Sequence, residues 1–238
     1  MSMIDKLTVV CAAALALGAC DLPRVNAATS VDDTAAPAAE VSELGGDAWC
    51  DELEPGMGSS TDCALRIDDQ RFVYFDYLTD ENGYASELIV SQQSFAGDVL
   101  ATSEPMEVEP GYAGPSLRDL DGDGVTEFLI PLYSGNVNTV FAVWRQGADG
   151  IFAPAGDVSS YSAESLELRD GLIIAPSRGS ATTHYEAASR FGPDGLEPVY
   201  ELEIDYEHQT CTLTNASGLG SAGLDADTLI ANCQARDW

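Results

Sequence analysis

Beyond residue 60 the chain alternates apolar and polar positions with a period of two, in short runs broken by Gly, Asp, Asn and Pro. Segments rich in β-branched and aromatic residues at 64–68, 72–77, 86–92, 127–132, 139–145, 171–175, 182–190 and 196–206 predict eight strands. In the last of these, Leu196, Tyr200, Leu202, Ile204 and Tyr206 share one face, and Glu197, Glu201, Glu203 and Asp205 share the other. That strand should therefore cover a core on one side only. Asn82-Gly83, Asp149-Gly150, Asp170-Gly171 and Asp194-Gly195 are two-residue hairpin signals, because both central positions of the favoured hairpin turns tolerate positive φ in these residues. No amphipathic helix stands out. The pattern predicts an all-β domain, a meander of short strands forming an irregular propeller-like or sandwich domain.

One interval inside the meander carries more than turn chemistry. Asp119-Leu120-Asp121-Gly122-Asp123-Gly124-Val125-Thr126-Glu127 places three carboxylates at every second residue. These converge on a single hard cation if the backbone coils back on itself, and Gly124 at the sixth position permits that conformation. The predicted ligands for one calcium ion are Asp119, Asp121, Asp123, the Val125 carbonyl and Glu127. An EF-hand would need a bidentate Glu at position twelve, where this chain has Ile130 within the apolar run Phe128-Leu129-Ile130. Closure by Glu127, at the start of a strand, is instead similar to the calcium loops of FG-GAP and integrin-type propeller blades. A weaker echo, Glu81-Asn82-Gly83-Tyr84 followed by Glu87-Leu88-Ile89-Val90, lacks the carboxylates and reads as a metal-free hairpin.

The first 46 residues predict where the domain is used. A short polar head containing Lys6 precedes the apolar stretch 7–19, which is too short to span a bilayer as a helix and reads as a signal peptide, residues 1–19. Leu17-Gly18-Ala19-Cys20 resembles the lipobox of bacterial lipoproteins, in which cleavage leaves the Cys to carry the lipid. Residues 20–46 are rich in Ala, Asp, Glu, Pro, Ser and Thr without an aromatic residue, which predicts a flexible tether reaching about 25–30 Å. The expected location is the cell envelope, anchored to a bacterial membrane and facing the periplasm or the outside. The remaining residues, 47–238, form one predicted all-β domain.

Charge narrows the partners. The chain has 40 acidic and 10 basic residues, a formal net charge of −30. Such a surface repels nucleic acid and anionic lipid and attracts cationic proteins or divalent ions. Outside the cytoplasm, Cys50, Cys63, Cys211 and Cys233 should form two disulfides, and of the three connectivities the local pairs Cys50–Cys63 and Cys211–Cys233 are favoured. A thiolate metal site would need a C-x-x-C spacing that the chain lacks.

From about residue 86 to residue 207 the order of pieces resembles a family. The strand, the calcium loop, the strand pair 127–132 and 139–144, then Leu172-Ile173-Ile174, Ser177-Arg178-Gly179, Tyr185 and the turn Phe191-Gly192-Pro193-Asp194-Gly195-Leu196 follow the order of calcium-binding, propeller-like periplasmic lipoproteins. That family includes immunity proteins against peptidoglycan hydrolases delivered by type IV secretion, which are similar to periplasmic lysozyme inhibitors. The resemblance covers about half the chain, and its specific part is the calcium loop. Related inhibitors enter the enzyme's cleft with an S-G-x-x-Y loop. The nearest matches here are Ser134-Gly135-Asn136-Val137-Asn138, with Asn138 in place of Tyr, and Ser177-Arg178-Gly179 with Tyr185 further along.

The resemblance implies a lipid-anchored protein that binds and inhibits a peptidoglycan-degrading, lysozyme-like enzyme. The candidate contacts are Ser134, Gly135, Asn136, Asn138, Ser177, Arg178, Gly179, His184 and Tyr185. A calcium-stabilised adhesion or scaffold module without inhibitory activity is the alternative. Catalysis is not expected. His184 and His208 are the only imidazoles and no Ser sits in G-x-S-x-G, so the sequence does not point to a catalytic triad.

Overall fold

The computed structural model describes residues 48–53, 61–109, 113–236 and 238. The expected signal peptide, Cys20 and tether lie outside these residues. No helix among the described residues is long and apolar enough to cross a membrane.

Three sheets follow one another along the chain. The first contains β1 (Ala48–Trp49), β2 (Cys63–Arg66), β3 (Arg71–Thr79), β4 (Ala85–Ser94), β5 (Val99–Thr102) and β6 (Met106–Glu107), ordered β1-β2-β3-β4-β5 with β6 also pairing with β4. The second contains β7 (Ser116–Arg118), β8 (Glu127–Ser134), β9 (Thr139–Gln146) and β10 (Phe152–Ser160), ordered β10-β9-β8-β7. The third is the meander β11 (Glu167–Arg169), β12 (Leu172–Arg178), β13 (Thr183–Gly192), β14 (Gly195–Asp205) and β15 (Thr210–Asn215). Only β1 and β2 pair in parallel; every other pairing is antiparallel. The all-β expectation therefore holds, as a sandwich-like stack of open sheets.

Burial explains the stacking order. On the second sheet Phe128, Ile130, Ala142 and Trp144 face the first sheet, packing with Val73, Phe75, Leu88 and Val90. Leu129, Phe141, Val143 and Val158 face the other way and pack with Ile173 and Ala175 of the third. The second sheet is thus buried on both faces, which is why β8 reads as a continuous apolar run rather than an alternation. The third sheet turns its remaining face, with Ile174, Leu202 and Ile204, toward two C-terminal helices, α1 (Leu219–Ala222) and α2 (Ala226–Gln234).

All four dipeptide turns join adjacent antiparallel strands. Asp170 and Gly171 both take positive φ, as that turn requires. Gly195 at φ +120 closes β13–β14, and any side chain there would collide with the Ala155 backbone. The disulfides form as Cys50–Cys63 and Cys211–Cys233, with Cα–Cα separations of 5.0 and 6.1 Å.

Two expectations need correction. The chain has a helix after all: Asp225 caps α2 by accepting from the Thr228 N–H at 2.9 Å, and Cys233 ties the helix to β15. The facial assignment of β14 also changes. Ala188 pairs with Tyr200 and Ser189 with Pro198, so Val199 is the extra residue of a β-bulge. That residue shifts the alternation, and Leu196 packs toward the second sheet while Tyr200, Leu202 and Ile204 pack toward α2.

Candidate metal centre and loop rim

The acidic loop connects β7 to β8 and ends on the first residue of β8, Glu127. Gly122 and Gly124 take positive φ, +78 and +86, and their N–H groups donate to Asp119 Oδ1 at 2.7 Å and Asp119 Oδ2 at 3.1 Å. Asp121 accepts from the Asp123 N–H and Asp123 from the Val125 N–H. These local bonds coil the loop so that Asp119, Asp121 and Glu127 each offer one oxygen within 4.8 Å of the others. Asp123 lies outside that trio although it belongs to the same loop, and the Val125 side chain is exposed.

Glu127 is the unusual member. Its side chain is fully buried; Oε2 accepts the Leu120 N–H at 2.9 Å, and Oε1 is buried without a hydrogen-bond donor. Burial pushes its carboxyl up to about 7 against the opposing effect of the Leu120 N–H; Asp121 and Asp123 raise it further and Arg145 lowers it. A buried carboxylate with an orphaned oxygen, beside two more carboxylates, matches the oxygen donor set of a hard cation. Asp119, Asp121 and Glu127 could therefore hold a metal ion, each offering one carboxylate oxygen.

Sequence reasoning missed Arg145. It occupies β9 next to Trp144, which pairs with Phe128, so it lies level with Glu127 across the ladder. Its Nη2 donates to Asp121 Oδ2 at 2.7 Å and to Asp123 Oδ2 at 3.0 Å, and its Nε is 3.7 Å from Glu127 Oε1. The guanidinium also stacks over Phe191 of β13, 4.3 Å from the ring centre. A lone Arg on the strand opposite the last ligand was the available signal.

The second candidate region is the rim formed by the loops 134–138 and 177–185. Asn138 Nδ2 donates to the Arg178 carbonyl at 2.8 Å, and the Arg178 N–H donates to Asn138 Oδ1 at 2.9 Å. The loops 134–138 and 177–185, forty residues apart, are thus joined by a reciprocal amide bridge. Tyr133 and Val137 stand exposed beside it. The Arg178 guanidinium donates to the Ser180 and Ala181 carbonyls and so rigidifies its own turn. Ser134, Gly135 and Asn136 lie in the same turn, closed by the Gly135 N–H donating to the Asn138 carbonyl at 2.8 Å.

His184 and Tyr185 point to opposite faces, since they are consecutive on β13. Tyr185 covers Gly179 and donates to Glu203 Oε2 at 3.3 Å. His184 Nδ1 lies 2.9 Å from the Tyr161 hydroxyl and begins an aromatic ridge: its ring is 4.7 Å from Tyr206, which is 5.7 Å from Trp238. Burial lowers the His184 pKa, and Arg178 lowers it further.

No family model, curated protein or solved structure matches this chain.

Proposed function

We propose that the protein is a calcium-stabilised, lipid-anchored envelope protein that binds and blocks a cationic cell-wall-degrading enzyme through the rim of loops 134–138 and 177–185. The observation that supports this most is the Asn138–Arg178 bridge, which makes loops 134–138 and 177–185 into one surface continuous with the His184–Tyr206–Trp238 ridge. Rigid aromatic anchors beside a polar, pre-organised turn are what a protein-binding hot spot requires, because little side-chain entropy is lost on docking. The net charge of −30 would steer a basic partner and raise its association rate more than its affinity. Calcium at Asp119, Asp121 and Glu127 would act from the side, fixing the start of β8, the strand that ends in the first loop. The lipobox and tether would keep the rim near peptidoglycan.

The test uses the chain starting after Cys20, wall hydrolases from the same envelope, and purified peptidoglycan turnover as readout. Stoichiometric inhibition that weakens in a Tyr206→Ala/Trp238→Ala variant is expected. Capture of envelope proteins without loss of any hydrolase activity would replace this reading with the adhesion or scaffold module.

A further inference from the structure

We infer that the cavity between the third sheet and α2 is a binding site for a small amphiphilic carboxylate, a single negatively charged head on an apolar body. The cavity encloses about 450 Å³, within the range of small-molecule sites. It is remote in chemistry from the acidic loop and shares no residue with the aromatic ridge. Its floor is the buried apolar face of the sheet, Leu172, Ile174 and Leu202, and its opposite wall is Leu229 of α2.

Its arginines are what set it apart in so acidic a chain. Eight arginines lie among the described residues, and three of them, Arg169, Arg190 and Arg236, line this one cavity. Three acids, Asp170, Glu186 and Asp225, line it too, and two of them are engaged. Glu186 accepts from the Tyr200 hydroxyl at 3.0 Å and from Arg169 at 3.3 Å, and Asp225 accepts from the Thr228 N–H and hydroxyl at the start of α2. Arg169 is therefore already committed, and Arg190 donates to Ser221 while lying 3.5 Å from Glu197.

Arg236 is different. Its Nε donates to the Cys233 carbonyl at 2.9 Å, and among the described residues neither Nη has an acceptor. Its charge acts on the Tyr200 hydroxyl at the cavity wall. A carboxylate seated there would receive the Arg236 fork with Arg190 nearby, while its tail displaced water from the partly buried Ala222, Leu224 and Leu229. A cation would meet the same arginines, and a neutral molecule would leave the Arg236 fork unused.

Octanoate serves as the probe, with octan-1-ol and octyltrimethylammonium as neutral and cationic controls, each titrated into the protein and followed by calorimetry and NMR shifts. Saturable octanoate binding is expected, with the alcohol and the ammonium each about tenfold weaker or worse. Arg236→Gln should weaken octanoate about tenfold and leave the alcohol unchanged, Arg236→Lys should recover part of the loss, and Asn232→Trp, which fills the cavity from the exposed side of α2, should abolish both. Thermal melts verify that each variant is folded. Absence of saturable octanoate binding up to about ten millimolar, equal affinity for octan-1-ol, or an Arg236→Gln variant that binds like the parent overturns the inference.

Discussion

Arg145 Nη2 lies 2.7 Å from Asp121 Oδ2, so the acidic loop 119–127 is held by a cation from β9. A guanidinium supplies one positive charge to three carboxylates, whereas a divalent ion supplies two and can also take the orphaned Glu127 Oε1. A bound divalent ion would therefore compete with Arg145 for Asp121 and Glu127.

Exchanging Arg145 for Gln should expose that competition. In chelator the variant leaves Asp121, Asp123 and buried Glu127 without a counter-charge; because the guanidinium is partly exposed, the expected loss is about 1–2 kcal/mol, below the range for fully buried pairs. In millimolar calcium the deficit should shrink. Melting midpoints measured in both conditions check this, and an equal deficit in both would show that Arg145 and calcium do not share the site.

Glu127→Gln tests the last ligand with opposite signs in two conditions. It removes a buried charge whose Oε1 has no hydrogen-bond donor, so stability in chelator should hold to within about 1 kcal/mol or rise. It also removes the ligand that links the loop to β8, so the stabilisation by calcium should fall. Denaturant midpoints with and without calcium read both effects.

The two histidines should titrate in opposite directions. The hydrogen bond that His208 donates to the Asp205 carboxylate raises His208, and the charges of Asp205 and Glu207 add to this, whereas burial lowers His184. The His208 contribution to stability is then fully present below about pH 6.5 and is lost as pH rises through its raised folded pKa. The His184 contribution is present above about pH 6.5 and is lost as pH falls toward its depressed folded value. NMR titration of the two imidazoles checks the order, and His184 titrating above His208 would contradict it.

Replacing both Cys211 and Cys233 with Ser should cost about 3 kcal/mol, since the bridge closes a loop of 22 residues. The loss should appear first as faster hydrogen exchange in α2, because that helix has nine residues and is held largely by this bridge and its apolar face. Uniform exchange across the domain would argue against it.

What the sequence made legible was whatever local chemistry dictates. The four X-Gly turns needed positive φ and announced themselves, and β8, β9 and β12 were dense in β-branched and aromatic residues. β10 was not visible, because Phe152–Ser160 contains Pro154 and Gly156 and survives only as an edge strand with a bulge between them. The helix α2 was hidden in a short segment whose stability comes from a disulfide and tertiary packing rather than propensity. The Val199 bulge moved Leu196 to the other face, an effect no period-two count can anticipate. At the site, the Asp and Gly spacing exposed the loop, but Arg145 belongs to it only through strand register.

Calorimetric titration of calcium and magnesium into the metal-free protein, with an Asp121→Ala variant alongside, is the most direct measurement of the loop's chemistry. One calcium ion should bind per chain, magnesium should bind more weakly because that ion demands a tight octahedron, and calcium should add about 2.7 kcal/mol of stability at a hundredfold excess over the dissociation constant. Asp121→Ala should lose most of this response. No binding heat together with identical melting midpoints in calcium and in chelator, or an Asp121→Ala variant that responds to calcium as the parent does, would contradict this.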